Sequence, residues 1–354
     1  MTTYCCQNQK VFNKWGVVMA SHLGNVRFDQ NSKLDFRGSR FRFRPLAGAA
    51  LAVALAAPAF VHAQCVTELQ RFDYSGAIVT YTVPSTGSYW LEAAGAQGSN
   101  NTSSTYAAGL GALIGGQFSL TNGAQLRILA GQQVSASGGN GGGGGSFVTD
   151  SSNSPLVVAG GGAGSGNLDN PGAKDGQAGN AGGAGSGGGG AGGTAGQGGS
   201  VGASGFQSGA GGGLLTNGAD GWTTNTGGLA FVNGGAGGSA NAPASGGFGG
   251  GGSGSSYVVG GGGGGYSGGG GGGNAAGGMG GGGGSFNGGA SASNQAGVNT
   301  GNGYVRICSA AAPPAPPPAT VQAVPVGGPW VLSALGAMLG LLGWRARRRS
   351  GVGR

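Results

Sequence analysis

Residues 141–164 read GGGGGSFVTDSSNSPLVVAGGGAG, two short runs of β-branched and aromatic residues set between glycine tracts. The runs at 146–148 and 156–159 have the composition of strands. A flexible Gly/Ser tether carries no such islands, and disordered chains are usually rich in charge. The pattern recurs as YVV at 257–259 and YVRI at 304–307, and 80 of the 209 residues from 95 to 303 are glycine. Glycine does not fall at every third place and proline is sparse in this stretch, which excludes collagen. The islands therefore predict an all-β domain in which the glycine-rich backbone is part of the structure.

Upstream, Phe72, Asp73 and Tyr74 precede a Ser75-Gly76 turn and the run AIVTYTV at 77–83. Val79, Tyr81 and Val83 alternate with Ile78, Thr80 and Thr82, as on the two faces of a strand. A PSTG turn at 84–87 leads to a second alternating run, YWLEA at 89–93. Runs at 117–120 and 125–130 flank Thr121-Asn122-Gly123-Ala124, whose Asn-Gly pair is a hairpin signal. About eight short strands at this spacing predict a β-sandwich or jelly roll.

Glycine tracts in such a domain can adopt a left-handed helix of the polyproline II type, polyglycine II, with three residues per turn, about 3.1 Å rise and no internal hydrogen bonds. Its N–H and C=O groups must pair with neighbouring helices, which can pack closely because no Cβ intervenes. Ordering each backbone costs about 1–2 kcal/mol, so the β-core and a covalent closure are expected to hold the bundle together.

These elements resemble the glycine-rich domain that lies outside the kinase in the anaplastic lymphoma and leukocyte tyrosine kinase receptors and in many bacterial surface proteins. The likeness is carried by FDYSGAIVTYTVP at 72–84, AAGAQG at 93–98, the 141–164 stretch, GGGGGGYSGGGGGG at 260–273 and GNGYVRI at 301–307. It implies a jelly-roll-like sandwich with polyglycine II helices as an insert. No kinase signature accompanies it: a Val-Ala-Ile-Lys strand, His-Arg-Asp and Asp-Phe-Gly are all missing from the sequence.

The two ends read as targeting segments. RGSRFRFR at 37–44 precedes the apolar run LAGAALAVALAA at 46–57, and Val61-His62-Ala63 supplies the small residues a signal peptidase requires. Cleavage is expected between Ala63 and Gln64. At the other end Val324-Pro325, Trp330, an apolar run through Trp344, and the basic residues Arg345, Arg347, Arg348 and Arg349 resemble the PEP-CTERM-like and IPTL-CTERM sorting tails read by exosortase-type enzymes. The usual Thr-Leu after the proline is replaced by Val326-Gly327. A helix of about 15 residues reaches about 22 Å against a hydrocarbon core of about 30 Å, so a short transmembrane helix is expected, with a plain anchor as the alternative to a sorting tail. The layout is a presequence (1–63), a glycine-rich domain (64–309), a Pro-rich spacer (310–324) and a tail (325–354).

Without the ends, Arg71, Arg127, Lys174 and Arg306 face seven carboxylates, so the net charge of +8 belongs to the targeting segments and no nucleic-acid partner is expected. Cys65 and Cys308 are the two cysteines of the exported part. In an exported chain they are expected as a disulfide rather than two free thiols. His22 and His62 both lie in the presequence, which removes Ser-His and Cys-His nucleophiles and histidine metal sites. Asp169-Asn170 and Asp175-Gly176 could offer oxygen to Ca²⁺, but their spacing follows neither EF-hand nor nonapeptide repeats, and solvated loop charges are expected. The nucleophile-elbow string at 198–202 is a chance match in glycine-rich sequence. Phe206, Trp222, Phe231, Phe248, Tyr266 and Phe286 are expected to pack between bundle and sandwich, with an exposed binding platform as the alternative.

The sequence thus predicts a non-catalytic structural or adhesion-type protein, without metal or cofactor, exported and displayed at the envelope surface or released to a matrix. Its partners would be signal peptidase, an exosortase-type enzyme, the membrane through the C-terminal helix, and envelope or matrix polysaccharide or protein. Ice binding or glycan binding is the alternative. Ice binding requires a regular flat face rich in Thr or Ala, which the irregular insertions do not provide.

Overall fold

A computed structural model describes residues 65–134, 139–203, 205–240, 244–255, 258–310 and 329–349. Ala63 and Gln64, the proline-rich spacer, and Val324 and Pro325 lie outside the described residues. The chain divides into units Met1–Pro58 and Ala59–Arg354, and every described residue belongs to the second.

The described residues form ten strands: β1 Cys65–Asp73, β2 Val79–Thr82, β3 Gly87–Ala94, β4 Gly111–Leu120, β5 Gln125–Leu129, β6 Ser146–Asp150, β7 Pro155–Ala159, β8 Phe286–Asn287, β9 Ala290–Asn299 and β10 Tyr304–Ala310. They build two five-stranded antiparallel sheets, in the orders β1-β10-β3-β4-β9 and β2-β5-β6-β7-β8. The fold is all-β, as the islands predict. Leu91, Ile114, Val305 and Ile307 of the first sheet share one core with Leu126, Ile128, Val148 and Val157 of the second.

The second sheet is apolar on its other face as well. There Leu129, Phe147 and Val158 pack with Leu214 and Phe231, and with half-buried Phe248, Tyr266 and Phe286. Phe147 stacks on Phe231 with centroids 4.9 Å apart, and Tyr266 meets Phe286 at 5.0 Å. A sheet covered on both faces favours continuous apolar runs, as in PLVVA, whereas QLRIL alternates until Leu129, which turns to the second face. Four of the six aromatics that punctuate the glycine tracts are therefore anchors between those tracts and the sandwich. Phe206 and Trp222 stack on each other elsewhere, at 4.4 Å, with Trp222 41% exposed.

Residues 160–285 run between β7 and β8, which are neighbours in one sheet, so this glycine-rich stretch is an insert whose two ends are hydrogen-bonded side by side. Its backbone amides pair laterally with a three-residue rhythm. The N–H groups of Gly260, Gly263 and Tyr266 reach the carbonyls of Gly278, Gly281 and Gly284; those of Gly261 and Gly264 reach Asn140 and Gly143; those of Gly262 and Gly265 reach Gly209 and Gly212, all at 2.8–3.2 Å. The 260–266 segment is thus bonded to three others. Some neighbours run antiparallel, as where Gly142 and Gly145 donate to Gly252 and Gly249. No glycine from 260 to 273 has a positive φ, so these positions need glycine for close approach rather than for an unusual backbone. A methyl group at Gly263 would collide with the Gly161 carbonyl, and one at Gly211 with that of Gly263.

Three expectations are corrected. The 121–124 turn is not a hairpin, because β4 and β5 belong to different sheets. Gly123 keeps the positive φ the Asn-Gly pair suggests (81°), yet its N–H bonds to Val83, whose own N–H bonds to Ala124, so the loop is tied to the end of β2 and turns the corner between sheets. Val258 and Val259 do not form a strand: Val259 makes one isolated bridge to Ser255, and Val258 has a φ of 59°. The expected transmembrane segment forms a helix, α1 Pro329–Arg349, but no helix among the described residues is long and apolar enough to cross a membrane. Ser333, Gly336, Gly340 and Gly343 dilute its apolar part, and the Arg-rich end lies within the helix itself.

Cys65 and Cys308 are disulfide-bonded, with Cα atoms 5.1 Å apart and a sequence separation of 243. The bond ties the first strand to the last. In the chain-entropy model so long a loop contributes about 5 kcal/mol, and reduction of the purified chain is expected to lower its unfolding free energy by up to that amount in denaturant titration. Gly263→Ala should cost more than about 2 kcal/mol through overpacking against backbone. Gly179→Ala, at an open position with ordinary φ, should be neutral or stabilise by about 0.5 kcal/mol.

Candidate functional site

The first sheet turns its inner face to the core and its outer face away from it, and that outer face carries the domain's main polar cluster. Cross-strand register aligns Arg71, Arg306, Glu92, Gly115 and Ser293 in one row across β1, β10, β3, β4 and β9. Leu113 and Gln295 pair in the next row toward β9, and Cys308 and Trp90 pair in the row on the other side. Side chains two apart on a strand share a face, so these rows are neighbours.

Arg306 donates from Nε to Glu92 Oε1 at 2.9 Å and lies 3.8 Å from Glu68 Oε2. Tyr304 donates to the same Glu92 oxygen at 3.4 Å, and the Arg71 guanidinium sits over the Tyr304 ring at 4.1 Å. Burial pushes the Tyr304 phenol above its usual range, and the charge of Glu92 adds to the rise. For Arg306 burial opposes the cation, but the hydrogen bond and charge of Glu92 more than reverse this, and its pKa is raised.

Trp90, 2% exposed, packs with Cys308 against Cys65 and Ala310. Its indole lies across Gly115: a Cβ there would approach Cζ2 at 2.6 Å and Nε1 at 3.0 Å. The glycine lets the ring lie flat on β4, and beside it opens a cavity of about 300 Å³. Leu113 and Gly115 line it on β4, Trp90 and Glu92 on β3, Ser293 and Gln295 on β9, with Arg306 and Cys65 completing the wall. Pairing of β4 with β9 is regular only from Leu113 to Gly115, with register shifts on both sides of that run, one of them beside Ser291 at φ 51°. Irregularities of this kind re-aim side chains and bend a strand, and here they frame the hollow.

Of these polar groups only Glu92 and Arg306 are engaged with each other. The Trp90 Nε1 is buried without a hydrogen-bond partner. Ser293 and Gln295 make no side-chain hydrogen bond among the described residues, and both Arg306 bonds go to Oε1 of Glu92, leaving Oε2 free. The cavity can therefore offer a donor, an acceptor and two groups that do either.

The loop carboxylates serve the backbone. Asp175 accepts from the N–H of Leu110 at 2.8 Å, Asp220 from that of Gly227 at 2.9 Å, and Asp150 from those of Ser152 and Ser154 at 2.8 Å. Asp169 pairs with Lys174 at 2.8 Å, and that hydrogen bond holds its carboxyl below the usual range. Asp169 and Asp175 are not brought together as ligands, and among the described residues no three His, Cys, Asp or Glu side chains converge. Arg345 lies exposed on α1, where Trp330, Arg347, Arg348 and Arg349 also fall.

Sequence reasoning did not single out Trp90, Glu92, Ser293, Gln295 or Arg306. One signal was present: Glu92 and Arg306 each interrupt an apolar strand, the mark of an outward position. No protein-family model matches the chain, and no curated protein matches it.

A phenol with a raised folded-state pKa stabilises fully below the unfolded value, near 10, and loses that contribution as pH rises through the folded value. Tyr304 and Tyr81 are both in this class. Unfolding midpoints measured from pH 8 to 11.5 should fall above about pH 10, and Tyr304→Phe should flatten the decline.

Proposed function

We propose that the chain is an exported, non-catalytic display protein of the cell envelope or extracellular matrix: a jelly-roll-like sandwich carrying a polyglycine II bundle, of the kind found beside the kinase in the anaplastic lymphoma kinase receptors. The observation that carries this reading is the three-residue lateral rhythm of backbone bonds around 260–266. Segments without side chains contribute stiffness and shape and bring no acid, base or nucleophile with them. The Cys65–Cys308 disulfide supports export, since such bonds persist in oxidising compartments. The sequence between Gln64 and Cys308 holds no histidine, and its loop aspartates are occupied with backbone N–H groups. The polar cavity on the outer face of the first sheet suits recognition, which favours an adhesive role. Signal peptidase and an exosortase-type enzyme are the proposed processing partners.

Protease treatment of intact producing cells, followed by mass spectrometry of the surface extract, tests the reading. The expected result is a protease-accessible protein beginning at Gln64 with Cys65 and Cys308 linked. A cytoplasmic protein with both thiols alkylatable sinks it. Amide exchange on the oxidised protein tests the bundle separately: residues 260–284 should exchange as slowly as β3 and β10, whereas exchange within seconds would describe a floppy tether.

A further inference from the structure

The cavity beside Trp90 has a chemistry of its own. Its volume of about 300 Å³ lies at the small end of ligand pockets, room for one ring-sized group rather than a folded partner. The two charged groups that line it, Arg306 and Glu92, pair with each other, and Glu68 outside the lining adds a carboxylate 3.8 Å from the same guanidinium, so no unneutralised cation awaits an anion. What remains unengaged is the Trp90 N–H, Glu92 Oε2, the Ser293 hydroxyl and the Gln295 amide, above an apolar floor formed by Leu113 and Gly115.

A buried N–H without a partner is destabilising, and this one sits on the indole edge that overlies the cavity's glycine. The penalty is removed when a ligand oxygen accepts from it. The remaining groups combine donors and acceptors within one small volume, which matches a molecule whose hydroxyls each donate and accept, and whose ring C–H face can rest on apolar surface. Ions and simple carboxylic acids lack that combination. A neutral pyranose ring has it.

We propose that the outer face of the first sheet holds a binding site for one neutral pyranose residue of a polysaccharide, with Trp90 as buried donor, Glu92 as acceptor, and Ser293 and Gln295 as the adjustable contacts from β9. The inference deepens the adhesive reading by naming its ligand class.

The full-length chain, oxidised and ¹⁵N-labelled, provides the test. The Trp90 indole resonance is identified by its disappearance in Trp90→Phe, then followed during titration with glucose, galactose, mannose and N-acetylglucosamine. At least one sugar should move it saturably, and Ser293→Ala and Gln295→Ala, both at non-core positions, should each weaken that binding about fivefold, a typical single hydrogen bond. Inorganic phosphate and acetate are the comparison arms. Three outcomes overturn the proposal: no saturable shift with any sugar, an equal shift with phosphate or acetate, or sugar binding indifferent to both β9 substitutions. Where the cell keeps the protein does not enter this measurement, so failure of surface display and failure of the sugar site are separately visible.

Discussion

Backbone amides removed from water must pair, and in this protein many of them pair sideways with chain segments distant in sequence. A helix or sheet pairs its backbone within itself or with a neighbouring strand. The 260–266 segment instead divides its donors among three neighbours, and this is possible only where no Cβ separates the chains. Every other feature of the domain accommodates that arrangement. A stack of glycine segments buries little apolar surface and pays the highest conformational entropy of any residue type. It needs an apolar wall to lie against and a covalent closure to hold the wall shut.

The second sheet is the wall. Because both of its faces are covered, Phe147 and Val158 are as buried as Val148 and Val157. Phe231, Phe248, Tyr266 and Phe286 interrupt the glycine tracts where those tracts meet the sheet, supplying the apolar area that glycine lacks. The disulfide closes the first sheet from the outside, pinning β1 to β10 across the ends of the domain.

The outer face of the first sheet carries the Arg71, Arg306, Glu92, Gly115 and Ser293 row and the cavity beside Trp90. Gly115 links the two halves of the story: the same missing side chain that permits close packing in the array permits Trp90 to lie flat here and a hollow to open beside it. The Glu92–Arg306 pair is half-shielded and hydrogen-bonded, so it shapes the cavity's polarity without giving it net charge.

By itself the sequence determined the all-β class and most of the strands; it favoured joining Cys65 to Cys308 and packing the aromatics as anchors, and the tertiary structure decided the pairing and which four of the six aromatics pack. Strand alternation and glycine density are local properties, and local properties are written in order along the chain. Sheet membership was not legible: the Asn122-Gly123 turn has the residues of a hairpin, yet the Gly123 N–H bonds to Val83 at the end of β2, in the sheet that β5 joins and β4 does not. β9 was invisible because ASASNQAGVN contains almost no large apolar residue, and a strand paired only to β4 on one edge needs none. The apolar C-terminal run announced a helix, but crossing a bilayer depends on summed hydropathy over length, which its serine and glycines reduce. The cavity belongs wholly to the tertiary structure, since five strands separated by up to 243 residues must be brought into register before Trp90, Glu92, Gln295 and Arg306 face the same space.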